Sequence, residues 1–273
     1  MTENNALGQR KYRGNFDPTL ADRLNKEAEL EKRKNKLHRL DNLIETADAK
    51  YIVIANPLDL STGAAAVRDQ ESFIKHWAGF ADERRMMNAA DFYHIISQIR
   101  KEDEKSPLAK NDSRRIIITS MRSDCSYGNG LLFGSIIEYR ALREDDSQAE
   151  IYQNDRPGSY YDDSSYNVIM MPQFHGNMAE GLKRDDELIY AQTLFDTHDN
   201  PEEIIRNMEF FTGVSRDFIE IDNYHTEPNV QQITYATGMQ ANKDGNHFCL
   251  CTPGPMYAKG LCRGVKKIMK EKE

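Results

Sequence analysis

The 273-residue chain, with 39% hydrophobic and 29% charged side chains, is long and apolar enough to bury a core without staples. Four cysteines, Cys125, Cys249, Cys251 and Cys262, are too few and too unevenly spaced for a disulfide scaffold, and no run approaches the roughly 18 consecutive apolar residues of a membrane span. The N-terminus reaches Arg10, Lys11 and Arg13 with no apolar signal-peptide core, so reduced thiols in a cytoplasmic compartment are expected.

The net charge of −8 is unevenly spread. Residues 9–40 carry +5 and residues 256–273 carry +4, leaving −16 on the interval 41–255. Such asymmetry concerns association more than fold. It divides the chain into a basic helical segment over 1–48, an acidic α/β domain over 49–255 and a basic terminal helix over 256–273.

Asp17-Pro18 has the form of a helix start, with an N-cap aspartate and a proline whose missing N–H costs nothing at the first helical position. Beyond it no Gly or Pro occurs until Pro57. Leu24, Leu30, Leu37 and Ile44 form a narrow apolar stripe among dense charges, as a long partner-docking helix requires. Tyr51-Ile-Val-Ile-Ala is predicted as the first core strand, covered on both faces. Residues 64–80 and 89–104 show helical spacing. Arg115-Ile-Ile-Ile-Thr is predicted as a second buried strand.

Strands are also expected over 131–142, 150–153 and 167–171, although Gly134 weakens the first. A loop is expected over 154–166 and a helix over 179–196. Asp199-Asn-Pro-Glu-Glu marks a helix that should end at Gly213. The segments 217–222, 231–237 and 247–252 read as further strands. The alternation predicts a three-layer α/β arrangement with a mixed sheet of about six to eight strands and a long N-terminal helix.

Ligands in open α/β sheets bind beyond the carboxyl ends of strands, and several reactive residues fall at predicted strand ends. Asp59 follows the first strand, Asp124 and Cys125 the second, His175 the strand at 167–171, and Asp222 with His225 the strand at 217–222. In a shared cleft, Cys125 would be a thiol nucleophile, His175 or His225 its base and Asp222 the orienting carboxylate, while Asp59 and Asp124 would bind ligand.

Other motifs point away from cofactors and metals. Gly128, Gly130 and Gly134 form G-x-G-x-x-x-G, which misses the dinucleotide spacing, and no G-x-x-x-x-G-K-[ST] phosphate loop occurs. His247, Cys249 and Cys251 alternate along a predicted strand, whereas structural zinc sites favour C-x-x-C turns, so core cysteines are expected there. The acidic pairs at 145–146 and 162–163, and the triplet at 185–187, lack the spacing of a calcium loop. Tyr12 and Phe16 do not make a nucleic-acid module of the basic ends.

No catalytic signature stands out. The sequence therefore points first to a non-enzymatic interaction protein, an adapter or accessory subunit of a cytoplasmic multi-protein assembly with other protein subunits as partners. Leu24, Leu30, Leu37 and Ile44 would provide its docking stripe, with no cofactor, nucleic acid or membrane span expected. A thiol-dependent hydrolase or transferase centred on Cys125, His175, Asp222 and His225 is the alternative.

Overall fold

In the computed structural model, the described residues are 40–46, 49–55, 64–79, 84–126, 130–141, 147–154, 165–171, 175–222, 232–251 and 259–270. The chain divides between Arg39 and Leu40, and every described residue belongs to the unit Leu40–Glu273. Leu24, Leu30, Leu37 and most of the expected N-terminal helix lie outside these residues, as do residues 155–164 of the loop expected over 154–166, whose last two residues, Ser165 and Tyr166, are strand.

The described unit mixes helix and strand. It holds twelve strands instead of six to eight: β1 (Leu40–Glu45), β2 (Ala49–Ala55), β3 (Ala64–Val67), β4 (Arg85–Met86), β5 (Leu131–Ala141), β6 (Ser147–Gln153), β7 (Ser165–Met171), β8 (His175–Asn177), β9 (Ile219–Asp222), β10 (Gln232–Ala241), β11 (Phe248–Cys251) and β12 (Gly260–Met269). They lie in the order β1-β2-β12-β5-β10-β11-β9-β8, with β3 and β4 on β12 and β6 joining β5 to β7. Pairing is antiparallel except for β12 with β5 and β11 with β9.

The first difference from expectation comes where the long helix should have continued. β1 (Leu40–Glu45) pairs antiparallel with β2 (Ala49–Ala55), from Leu40 opposite Ala55 to Glu45 opposite Lys50. Thr46 closes this hairpin: its amide and hydroxyl both donate to the Ala49 carbonyl, at 2.8 and 3.0 Å. Ile44 therefore faces the core, 2% exposed, and is not part of a partner-facing stripe. Hydrogen bonds between Thr46 and Ala49 join the two strand ends, with no Gly or Pro in the sequence to announce the reversal.

The basic C-terminal helix is likewise replaced by a strand, β12 (Gly260–Met269). Gly260 and Gly264 weaken a helix here, while Val265 and Ile268 suit a pleated surface. β12 is the hub of the sheet. Its first half pairs with β3 (Ala64–Val67) and β5 (Leu131–Ala141), and its second half with β2. β4 (Arg85–Met86) meets it at Gly264 and Val265.

All the strand segments expected from 131 onward are present, including β5 despite its Gly134.

Helices α1 (Gln70–Ala78) and α2 (Ala89–Lys105) both begin with capping boxes, at Asp69 with Ser72 and at Asn88 with Asp91. α3 (Ser113–Asp124) occupies the segment expected to be the second buried strand. Asp112 caps it, and Ile116, Ile117 and Ile118 are all buried, so packing outweighs a propensity cost of only tenths of a kcal/mol per β-branched residue. α4 (Met178–Gly181) and α5 (Asp185–Phe195) divide the helix expected over 179–196. α6 (Pro201–Thr212) starts at Asn200-Pro201 and ends at Gly213 in the left-handed region, as its sequence announces.

The sheet carries apolar side chains on both faces, but unequally. Leu131, Phe133 and Ile137 of β5 join a large cluster with residues of α2 through α6, while Leu132 and Ile136 join a small one with Phe73 and Trp77 of α1. This imbalance does not make a clear three-layer sandwich.

Two arginines are sealed inside. Arg263 of β12 and Arg85 of β4 are each 1% exposed, and each meets a buried aspartate at two points: Arg263 with Asp124, Arg85 with Asp91. Arg263 also donates to Ser120 Oγ at 2.6 Å.

Gly134 lies where β5 passes under β4. A Cβ there would stand 2.8 Å from the Met86 carbonyl oxygen, whereas one at Gly176 would meet nothing within 4 Å. Gly134→Ala is expected to cost about 1–3 kcal/mol in urea unfolding, and Gly176→Ala within about 0.5 kcal/mol. Equal costs would contradict this packing.

Candidate functional site

The expected strand-end cleft does not assemble as drawn. Asp59 and His225 lie outside the described residues. Asp124 and Cys125 end a helix instead of a strand, and both are buried. Asp124 is committed to Arg263. The Cys125 thiol donates to the Met121 carbonyl at 3.4 Å, and burial, aided by the Asp124 charge, pushes it well above the usual thiol range. A thiol held neutral in the core is not a nucleophile poised at a cleft. His175 and Asp222 do sit at opposite register positions on β8 and β9. Asp222 is half-buried and engaged within the protein.

Gly130 takes a left-handed conformation (φ +63°) ahead of β5, a Cβ at Gly134 would meet the Met86 carbonyl oxygen, and Gly128 lies outside the described residues. Among the described residues no three His, Cys, Asp or Glu side chains are grouped to hold a metal ion. His247 Nε2 lies 3.1 Å from Glu220, and Cys249 is half-buried.

What the fold builds instead is an open cleft of about 1150 Å³ at the β1–β2 end of the sheet. Its walls come from four places: the β1–β2 turn, one face of α2, the loop between α5 and α6, and the last residues of β12.

His94 of α2 lines it. Its Nε2 is 3.1 Å from the Asp196 carbonyl oxygen, and Nδ1 is 3.4 Å from the Tyr51 hydroxyl. A carbonyl only accepts, so the geometry assigns the proton to Nε2 and leaves Nδ1 to accept from Tyr51. Asp196, which provides that carbonyl, is the only non-glycine with positive φ among the described residues, at +47°. It caps α5 in the left-handed region, which aspartate tolerates better than most residues.

Tyr93 forms the inner wall. Its hydroxyl donates to Asp199 Oδ2 at 2.7 Å and accepts from Asn207 Nδ2 at 2.8 Å. Arg100 Nε donates in turn to Asn207 Oδ1 at 2.6 Å, and the Tyr93 ring stacks on Phe195 at 4.7 Å. Burial first, and Asp199 second, hold the Tyr93 hydroxyl far above the ordinary phenol range. It is therefore a neutral hydrogen-bonding group that fixes the α5–α6 loop against α2.

The sheet side is cationic. Lys267 lies opposite Tyr51 in register, its ammonium 5.8 Å from the ring centroid, where the ring face attracts it. Lys270 donates to the Thr46 carbonyl at 2.7 Å and pairs with Glu45 at 2.9 Å. That pairing lowers the Glu45 carboxyl below its usual range, through the hydrogen bond first and the lysine charge second. Lys50 also lines the opening, and so does Lys101 of α2, whose ammonium lies 3.7 Å from Glu203. The cleft thus offers ammonium, imidazole, hydroxyl and carboxylate groups to a polar ligand.

Sequence reasoning missed these residues for identifiable reasons. His94 looked like one more residue of an amphipathic helix. A basic terminal helix, expected over Lys267 and Lys270, hides the cross-strand pairing of Lys267 with Tyr51 and the ion pair of Lys270 with Glu45. The visible signal was Asp196-Thr-His-Asp-Asn-Pro, a dense run of turn and cap residues between two helices.

By fold and site, then, the described unit is a mixed helix-and-strand domain with a polar cleft at one end of its sheet. No family model and no curated protein matches the chain. A solved structure concerned with the accommodation of massive sequence variation in Nanoarchaeota by the C-type lectin fold is similar at 11% identity, with a TM-score of 0.35, over 83% of this chain and 100% of that one.

The burial of the thiols has a direct readout. Cys262, like Cys125, is pushed up by burial and then by the Asp124 charge, whereas Cys249 is half-buried. In native protein, iodoacetamide mapped by peptide mass spectrometry is expected to modify Cys249 at least tenfold faster than Cys125 or Cys262. Faster labelling of Cys125 would return it to consideration as a nucleophile.

Proposed function

We propose that this is a non-enzymatic interaction protein, an adapter or accessory subunit of a larger cytoplasmic assembly that works by binding. One observation carries the reading: the open cleft presents polar groups of both charges, while the thiol that would have supported catalysis, Cys125, is sealed in the core. No described observation favours the thiol-dependent hydrolase or transferase.

The basic stretch 9–39, with Leu24, Leu30 and Leu37, remains the docking element in this reading. Ile44 leaves the stripe because it belongs to the core. In sequence, that stretch leads straight into β1, whose Glu45 and the following Thr46 line the cleft. Four lysines line the opening, and the stretch carries net positive charge; each by itself suits a protein partner of acidic surface.

The structure also sets where a deletion must stop. Removing residues 1–39 leaves the β1–β2 ladder whole, and the body is expected to keep its melting temperature while running as a monomer. The full chain, at native expression level, is expected to elute in a larger assembly. Removal of 1–48 also strips Ile44 from the core, and that burial alone is worth about 1.5–3 kcal/mol. Elution of the 1–39 deletion in the same assembly as the full chain would defeat the proposal.

A further inference from the structure

Away from the cleft, a second opening of about 200 Å³ lies where β8, β9, α4 and the start of α5 meet. Gly176, Glu180, Gly181, Arg184, Glu187 and Ile221 line it. Its unusual member is Glu187. This side chain is 4% exposed, and Oε2 has no hydrogen-bond partner, the only buried carboxylate oxygen so placed among the described residues. Asp91 and Asp124, by contrast, each hold a guanidinium with both oxygens. An orphaned buried carboxylate oxygen is expensive, and such a group calls for an absent partner.

The surroundings are shaped to the carboxylate. A Cβ at Gly181 would stand 2.5 Å from Oε2, so only glycine at this position lets the acid lie where it does. Arg184 reaches the other oxygen at 3.2 Å, but its side chain is 58% exposed and is shared with Asp186 at 3.4 Å. It is a movable cation at the rim and not a sealed partner. Burial pushes the Glu187 carboxyl up, Arg184 pulls it down, and Asp186 adds to the rise.

We propose that this opening is a binding site for an alkylammonium group, with the Glu187 carboxylate as its counter-ion. Three features select that chemistry. Glu180 is exposed and paired with Lys183 at 2.7 Å, so the group left facing the opening for a cation is the buried Glu187 carboxylate. A single buried carboxylate is too few ligands for a metal ion but suits one ammonium. Ile221 and the two glycines leave a narrow apolar wall against which methylenes can lie. A small turn of the flat carboxyl torsion and displacement of Arg184 bring the oxygens to the guest.

The experiment is an NMR titration of the full chain with n-butylammonium chloride and, separately, with lysine blocked at both its α-amino and carboxyl groups. Sodium chloride at equal ionic strength is the control. Saturable shifts at the Gly176 and Gly181 amides are expected with at least one amine. Glu187→Gln should weaken binding at least tenfold. Arg184→Ala should tighten it severalfold, a gain that a damaged fold would not give. Tighter binding of the blocked lysine assigns the site to a partner's side chain, and tighter butylammonium to a free amine.

Stability provides a separate readout. A carboxyl whose folded pKa is raised contributes stability that is present below its unfolded value and is lost as pH rises through the folded one. With Arg184, Asp186 and Glu180 as the charged neighbours, Glu187→Gln is expected to raise the melting temperature at pH 8 and not at pH 4. No saturable binding of either amine to the wild type, or undiminished binding by Glu187→Gln, would overturn the proposal.

Discussion

Arg263 lies near the middle of β12 with its guanidinium closed over by the Asp124 carboxylate and the Ser120 hydroxyl at the end of α3. Burying two charges costs several kcal/mol per ion before their attraction is counted, so the pair is a poor net stabiliser compared with apolar side chains. Its effect is on uniqueness. A strand shifted by one residue turns every side chain to the opposite face. For β12 that shift would drive Arg263 into the small cluster of Phe73, Trp77 and Leu132, where the described cluster offers only apolar contacts. The ion pair therefore fixes the register of the strand to which β2, β3, β4 and β5 all bind.

The cleft inherits that register. Because Val265 is opposite Val53, Lys267 comes opposite Tyr51, and the chain then delivers Lys270 to Thr46 and Glu45. The other wall is fixed independently, by Tyr93, Asn207 and Arg100 tying α2 to α6 and by His94 holding the Asp196 carbonyl. Two polar networks thus position one opening. Both start from buried groups whose partners are satisfied, which is what lets polar residues specify a structure instead of weakening it.

Legibility in the sequence followed the range of the forces involved. The start and end of α6 were readable, because Asn200-Pro201 and Gly213 act locally through capping and backbone conformation. The strands from β5 onward were readable from apolar runs. The three isoleucines of α3 were not, because their burial within a helix depends on the elements packed around them. The lysines near the C-terminus misled for a related reason: charge alone does not distinguish a solvated helix from a strand whose end lines a cleft. For the site, Cys125 and His175 stood out by residue type, whereas His94, Tyr51 and Lys267 are brought together only by long-range pairing. Of the expected catalytic set, His175 and Asp222 share register positions, and Cys125 is in the core.

The claim that one buried ion pair sets the register is tested most directly by a double-mutant cycle on Arg263→Met and Asp124→Leu, read by equilibrium urea unfolding. Each single change should cost about 3–5 kcal/mol, because it leaves an unpaired charge in the core. The double variant should recover much of that loss, yet show weakened hydrogen-exchange protection along β2 and β12, because a less strictly fixed strand remains. Single costs below about 1 kcal/mol, in the range of an exposed pair, would contradict the account.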